Sequence, residues 1–171
     1  FKNILFFVDR MVEHSIGEFG RGTRVEPLHY NGVSLGMTIC YENIFPHLVR
    51  RRVLAGADVI VNLTNDAWFG DSAAAEQHFS ASVFRAVECR RPVIRCANTG
   101  ISGAVDSKGH ILKRTALFRE AVFAVTVKTQ DKRSPYLVFG DIFPWICGSL
   151  LITIIIVSVV KQRIYKAKGD Q

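Results

Sequence analysis

VSLGMTICYENIFPHLVRRRVLAGADVIVNL, residues 33–63, decides the fold. Val33 to Cys40 reads as a short buried strand, Phe45 to Ala55 as a helix with Pro46 in its first turn, and Ala57 to Leu63 (ADVIVNL) as a second buried strand. Strand, helix, strand is the unit of a sheet covered by helices. Outward from it, Ser72 to Arg90 has helical spacing in Phe79, Val83, Ala86 and Val87, and Pro92 closes the helix. Strands are expected at Val93 to Ala97, Ile101 to Asp106, His110 to Leu112 and Ala121 to Val127, with a turn at Ser107-Lys108-Gly109. The class is α/β, with no internal repeat and no low-complexity tract.

From Ile142 to Val160 the sequence IFPWICGSLLITIIIVSVV carries no charge, and about 20 apolar residues suffice to cross a hydrocarbon core. Lys161, Arg163, Lys166 and Lys168 follow at once, which predicts a cytoplasmic C-terminus and a globular part on the opposite face of a lipid bilayer. Trp145 and Tyr165 flank the span as interfacial anchors.

The chain has 171 residues, 49% of them apolar, enough for one core. It opens at Phe1 with its first methionine at Met11 and no signal-peptide pattern, which is the expectation for a piece of a longer chain. The formal net charge of +7 comes from scattered residues and small clusters such as Arg50-Arg51-Arg52, with no basic and aromatic interleaving, so no nucleic-acid partner is expected. Anionic lipid beside the C-terminal cluster suits that charge better. Cys40, Cys89, Cys96 and Cys147 have no Cys-x-x-Cys spacing and no histidine pair nearby, so neither a metal nor a disulfide framework is expected.

Cys40 ends a strand ahead of a helix, where a nucleophile is exposed and backbone N–H groups point at the atom it attacks. By spacing alone, a buried structural thiol fits as well. Glu42 beside it favours a working site, since a carboxylate at a strand end is costly to bury. Asn65-Asp66-Ala67-Trp68-Phe69-Gly70 follows the second strand and reads either as a pocket wall at the sheet's ligand-binding edge or as a turn with two aromatics tucked into the core. Asn98-Thr99-Gly100-Ile101-Ser102 is by itself an ordinary turn.

In combination, the order CYE, NDAWFG, a histidine separated by six residues from RAVE, PVIRCANTGIS and a terminal span resembles the C-terminal region of the apolipoprotein N-acyltransferase family, a membrane-bound branch of the nitrilase superfamily. The resemblance runs from about Phe19 onward. It implies the C-terminal part of a nitrilase-like α-β-β-α sandwich in residues 1–140, one transmembrane helix in 141–162 and a basic cytoplasmic tail in 163–171. It also implies a bacterial inner membrane, with the catalytic domain on the periplasmic face. The implied reaction moves a fatty acyl chain from a phospholipid to a thioester on Cys40, then to the N-terminal amine of a diacylglyceryl lipoprotein, with no cofactor.

Under that resemblance Tyr41 offers a backbone N–H to the oxyanion and Glu42 is a supporting acid. Trp68 and Phe69 shape the approach of acyl chain or lipid, while Asn65, Asp66 and His78 position the loop. The superfamily's catalytic glutamate and lysine both precede its cysteine. Lys2 is the only lysine ahead of Cys40, and neither Glu18 nor Glu26 matches the glutamate, so both partners are expected upstream and the 171 residues alone are expected to be inactive. His14, His29, His47 and His110 are isolated, Cys89 and Cys96 read as small buried residues, Cys147 falls in the span, and Arg85 is spaced to pair with Glu88. Two alternatives stay open: a small-amide amidase, against which the span argues, and a catalytically dead membrane-anchored binding module.

Overall fold

The computed structural model describes residues 22–169, with side chains described as far as residue 162. Lys2, His14 and Glu18, and the side chains of Arg163, Tyr165, Lys166 and Lys168, lie outside the described residues.

Among the described residues one mixed sheet runs in the order β1 (Leu28–Tyr30), β2 (Val33–Ile39), β3 (Val59–Asn65), β4 (Val93–Asn98), β5 (Gly103–Val105) and β6 (Ile111–Arg114). β2, β3 and β4 are parallel neighbours, while β1, β5 and β6 add antiparallel edges. The parallel crossovers are α1 (Pro46–Leu54) and α2 (Ala73–Cys89). Parallel neighbours need such crossovers because a tight turn can only reverse the chain. The Ser72 side chain caps the start of α2, and Arg90, left-handed at φ 52°, ends it ahead of Pro92.

Val49, Val53, Ile60, Phe79, Ala86, Cys89, Val93 and Leu137 form one core between the helices and one face of the sheet. Gly36 marks the closest approach. A Cβ there would lie 2.8 Å from the Ala57 Cβ and 2.9 Å from the Ile60 Cδ1. Gly36→Ala is therefore expected to cost about 1–3 kcal/mol by overpacking, read as a lower denaturant midpoint in detergent. A midpoint equal to the parent's would show that α1 can move off the strand.

The opposite sheet face stays open. Ile39 and Leu63 are exposed there, 68% and 46%, the kind of apolar surface that a sandwich gives to a second sheet. Cys96 shares that face and is exposed, which corrects the expectation of a buried residue: its register partner is Leu63, on the side away from the helices. The expected strand at Ala121 to Val127 does not form among the described residues, because a strand requires a ladder partner and none of them pairs with this segment. The other expected strands, and the two helices that cross between them, form within two residues of their expected ends, with Ile101 to Asp106 narrowing to β5 and His110 to Leu112 shifting to β6.

Ser134 caps α3 (Pro135–Phe139) and also donates to the Glu88 carbonyl. Arg50 of α1 donates to the carbonyls of Tyr136, Leu137 and Val138 at 3.0–3.1 Å, satisfying the end of α3. α4 (Ile142–Gly169) begins two residues after Gly140. Its stretch Ile142–Gln162 is 21 residues long, has mean hydropathy 2.4, is not buried at all, and is long and apolar enough to cross a membrane.

Candidate functional site

Three strand ends build the site. β2 ends at Ile39, and Cys40 opens a 3₁₀ turn, Cys40–Ile44, with its backbone left-handed at φ 49°. A non-glycine residue in that region is strained by about 1–2 kcal/mol, so its surroundings must hold it there. Glu42 holds one side: its carboxylate accepts from the Ile39 N–H at 2.9 Å and from Arg52 at 3.1 Å. With both bonds made through Oε2, Glu42 braces the turn. The first N–H groups of the turn, Tyr41 among them, have no partner within it.

Beneath the turn, register sets a buried polar row. Thr38 pairs with Asn62, and Asn62 with Arg95, across β2, β3 and β4. All three face the helices and are fully or almost fully buried. Arg95 reaches Asp66 Oδ2 at 2.6 Å, Asn62 Oδ1 at 2.8 Å and the Ile101 carbonyl at 3.1 Å. Gly100 lies flat over Asp66, where a Cβ would meet the carboxylate at 2.3 Å. His78, on the face of α2 turned to the sheet, has Nδ1 3.0 Å from Asp66 Oδ1 and Nε2 3.3 Å from the Cys40 carbonyl.

Cys40, Tyr41, Glu42, Asp66, Phe69 and His78 thus come together. Tyr41 and Phe69 pack on the His78 ring at centroid distances of 5.4 and 5.8 Å. Tyr41, Ile44, Phe69, Ala81, Phe84 and Arg85 line a cavity of about 340 Å³ along α2, with His78 at its floor. Trp68 is 81% exposed and lines no part of that cavity, so the NDAWFG aromatics are not tucked into the core. Asn65 Oδ1 accepts from the Ala67 N–H at 3.1 Å, and Arg85 pairs with Glu88 at 2.8 Å. Arg95 and Asn62 went unread in the sequence. The signal was a charge and an amide inside strands (VIRCAN and VIVNL) whose other residues suit a buried sheet.

Burial lowers the His78 pKa below its ordinary 6.5, and Arg95 adds to the effect, against the opposing pull of Asp66. The unfolded chain therefore takes up a proton that the folded chain resists. Stability from this source is complete above pH 6.5 and declines as pH falls below it toward the lowered folded value. Unfolding midpoints at pH 7.5 and 5 should show this acid limb in the parent and a weaker one in His78→Gln. Equal limbs would assign the acid sensitivity elsewhere. Burial also pushes the Cys89 thiol up to about 12, so this cysteine should resist alkylation at neutral pH while the fold is intact.

Residues 2–134 match the family model described as carbon-nitrogen hydrolase. A Geobacter metallireducens protein named apolipoprotein N-acyltransferase is 46% identical over 144 residues, which is 84% of this chain and 27% of that protein. A Treponema denticola protein named apolipoprotein N-acyltransferase 1 is 30% identical over 164 residues, 95% of this chain and 30% of that one. The chain therefore spans less than a third of the length of these relatives. Among solved structures, a carbon-nitrogen hydrolase from Helicobacter pylori is similar with TM-score 0.53 at 17% identity, covering 60% of this chain and 43% of the other. Saccharomyces cerevisiae Nit3, a member of branch 10 of the nitrilase superfamily, gives 0.50 at 21% identity, covering 59% and 40%. Both likenesses concern the fold.

Proposed function

The chain belongs to the carbon-nitrogen hydrolase family, and from that premise we propose that it supplies the nucleophile of a membrane-bound N-acyltransferase acting on lipoproteins. The observation that carries this reading is Cys40, held left-handed at the C-terminal end of a parallel strand, with Phe69 of the NDAWFG loop against the neighbouring Tyr41 ring and His78 on the Cys40 carbonyl. The names of the relatives support the acyltransferase branch over an amidase. The apolar helix Ile142–Gln162 supports a bilayer as the place of reaction, with the catalytic domain on the periplasmic face of a bacterial inner membrane and the basic tail in the cytoplasm.

In the proposed reaction the Cys40 thiolate attacks an ester carbonyl of a glycerophospholipid. The C–S bond forms as the ester C–O bond breaks, and the lysophospholipid leaves with a proton on its alkoxide oxygen. The amine of a diacylglyceryl-cysteine lipoprotein then attacks the thioester, the C–N bond forms, and the thiol is released with the amine's proton. The N–H groups that open the Cys40 turn are placed as donors to the tetrahedral oxyanion, Tyr41 first among them. Phe69 and the exposed Trp68 flank the approach of the acyl chain. Asn65, Asp66 and His78 keep the loop in place.

The test is a mass measurement. The protein as encoded by its own gene, incubated in detergent with phospholipid alone, should accumulate an acyl group on the Cys40 peptide. Lipoprotein substrate should then discharge it. An acyl group on any other residue, or none on Cys40 while transfer proceeds, removes this reading.

A further inference from the structure

Cys40's carbonyl accepts two side-chain N–H groups, from Asn62 Nδ2 at 3.1 Å and from His78 Nε2 at 3.3 Å. Neither donor is oriented by its own strand or helix. An amide can turn over, and a neutral imidazole can carry its proton on either nitrogen. What orients both is Arg95.

Arg95 Nη1 donates to Asn62 Oδ1 at 2.8 Å, so the amide must present its NH₂ toward Thr38 and the Cys40 carbonyl. Arg95 Nη2 carries two hydrogens; one meets Asp66 Oδ2 and the other faces His78 Nδ1 at 3.0 Å. Nδ1 also lies 3.0 Å from Asp66 Oδ1, which by itself would draw the ring proton there; the Arg95 hydrogen aimed at Nδ1 opposes that pull and leaves the proton to Nε2, aimed at Cys40. The opposite tautomer would gain an Nδ1–H bond to Asp66 Oδ1, but it would set the Nε2 lone pair against the carbonyl oxygen and Nδ1–H against the guanidinium. Asp66 Oδ1 has its own donor in Thr64 Oγ1 at 3.0 Å. Groups facing His78 include Asp66 before the Ala67–Phe69 turn, Arg95 from β4, and Cys40 and Tyr41 from the strained turn.

We infer that Arg95 is a positioning residue for Cys40: by setting the His78 tautomer and the Asn62 orientation, it aims two N–H groups at the Cys40 carbonyl and holds the nucleophile in its left-handed conformation. The inference rests on the reading of Cys40 as the nucleophile. Arg95 suits the task because its planar fork reaches four acceptors at once, which a lysine ammonium does not. It is 2% exposed and meets no solvent that could take over any of these bonds. A negative charge on Cys40 also favours the charged form of Arg95, which puts the guanidinium within electrostatic range of the thiolate.

The test is alkylation by iodoacetamide, resolved peptide by peptide, in the protein as its gene encodes it. Protection of buried Cys89 reports an intact fold, and a small free thiol added to the mixture reports the reagent. Arg95→Lys keeps the charge beside Asp66 and loses the fork. With Cys89 still protected and the added thiol reacting at its usual rate, it should slow Cys40 alkylation about 10- to 100-fold, the scale of a reacting group displaced by an ångström. Arg95→Met should do the same. It should also let His78 protonate at higher pH, because Asp66 is then unopposed, which ring ¹⁵N shifts would read as loss of the Nε2–H tautomer. Should Arg95→Met expose Cys89, Arg95→Lys carries the test. Cys40 alkylation at the parent rate in Arg95→Lys, or an unmoved His78 ring in a folded Arg95→Met, overturns the inference. No lipid enters this assay, so slowed alkylation together with no acyl transfer in the parent would retain the positioning role and remove only the proposed function.

Discussion

Cys40→Ala is expected to abolish the proposed acyl transfer and the acyl adduct while leaving the domain folded. The rate is expected to fall by about 10⁴-fold or more, the scale of deleting a covalent nucleophile, because no other group near the turn can carry a thioester. Alanine has a Cβ and so inherits the left-handed strain at φ 49°. Cys40→Gly does not, and should be more stable than Cys40→Ala by about 1 kcal/mol while equally inactive. That pairing separates chemistry from folding. The left-handed backbone is then a cost borne for the position of the sulfur, as strain at working sites commonly is. Transfer persisting in Cys40→Ala, measured as N-acylated lipoprotein in membranes, would remove the nucleophile assignment. A glycine variant less stable than the alanine variant would show that the turn is not strained.

Asp66→Ala carries the largest expected loss of stability. It leaves the Arg95 guanidinium buried without its counter-ion, and breaking a buried pair from one side costs about 3–5 kcal/mol. Burial already pulls the Arg95 pKa down while Asp66 holds it up, so the pair is tightly interdependent. Asp66→Asn keeps the shape and one acceptor and should lose less. Denaturant midpoints in detergent, with Cys89 alkylation as the unfolding signal, give both values. A loss under about 1 kcal/mol in Asp66→Ala would mean that water or another acceptor replaces the carboxylate. Because Asp66, His78 and Arg95 share bonds, double substitutions among them should be strongly non-additive.

Much of the architecture was legible from one residue to the next. The strand at 33–40, the helix that follows it and the strand at 57–63 each announce themselves through local pattern, since burial of a whole strand leaves a continuous apolar run. α2 is bounded by a capping Ser72 and by Pro92, both local signals. Ala121 to Val127 suits a strand by composition, whereas a strand exists only where a neighbour completes its ladder, and none of the described residues does so. Cys96 misled for a related reason: alternation places it on one face or the other, and only pairing with Leu63 decides that the face is open. In the site, Cys40, Glu42 and the NDAWFG loop stood out as motifs. Arg95 did not, because a lone arginine in a strand carries no spacing signal.

By itself, then, the sequence determined the α/β class, the order of its elements, the apolar helix at its C-terminal end and the cysteine at a strand end. Those properties follow from local periodicity and from side-chain chemistry that needs no partner. Only the tertiary structure decided that Thr38, Asn62 and Arg95 form one row, that His78 crosses from α2 to meet it, and that both donors end on the Cys40 carbonyl. The physical reason is register. Strands distant in the chain slide to the alignment that gives most buried polar groups a partner, and that alignment is a property of the packed sheet as a whole.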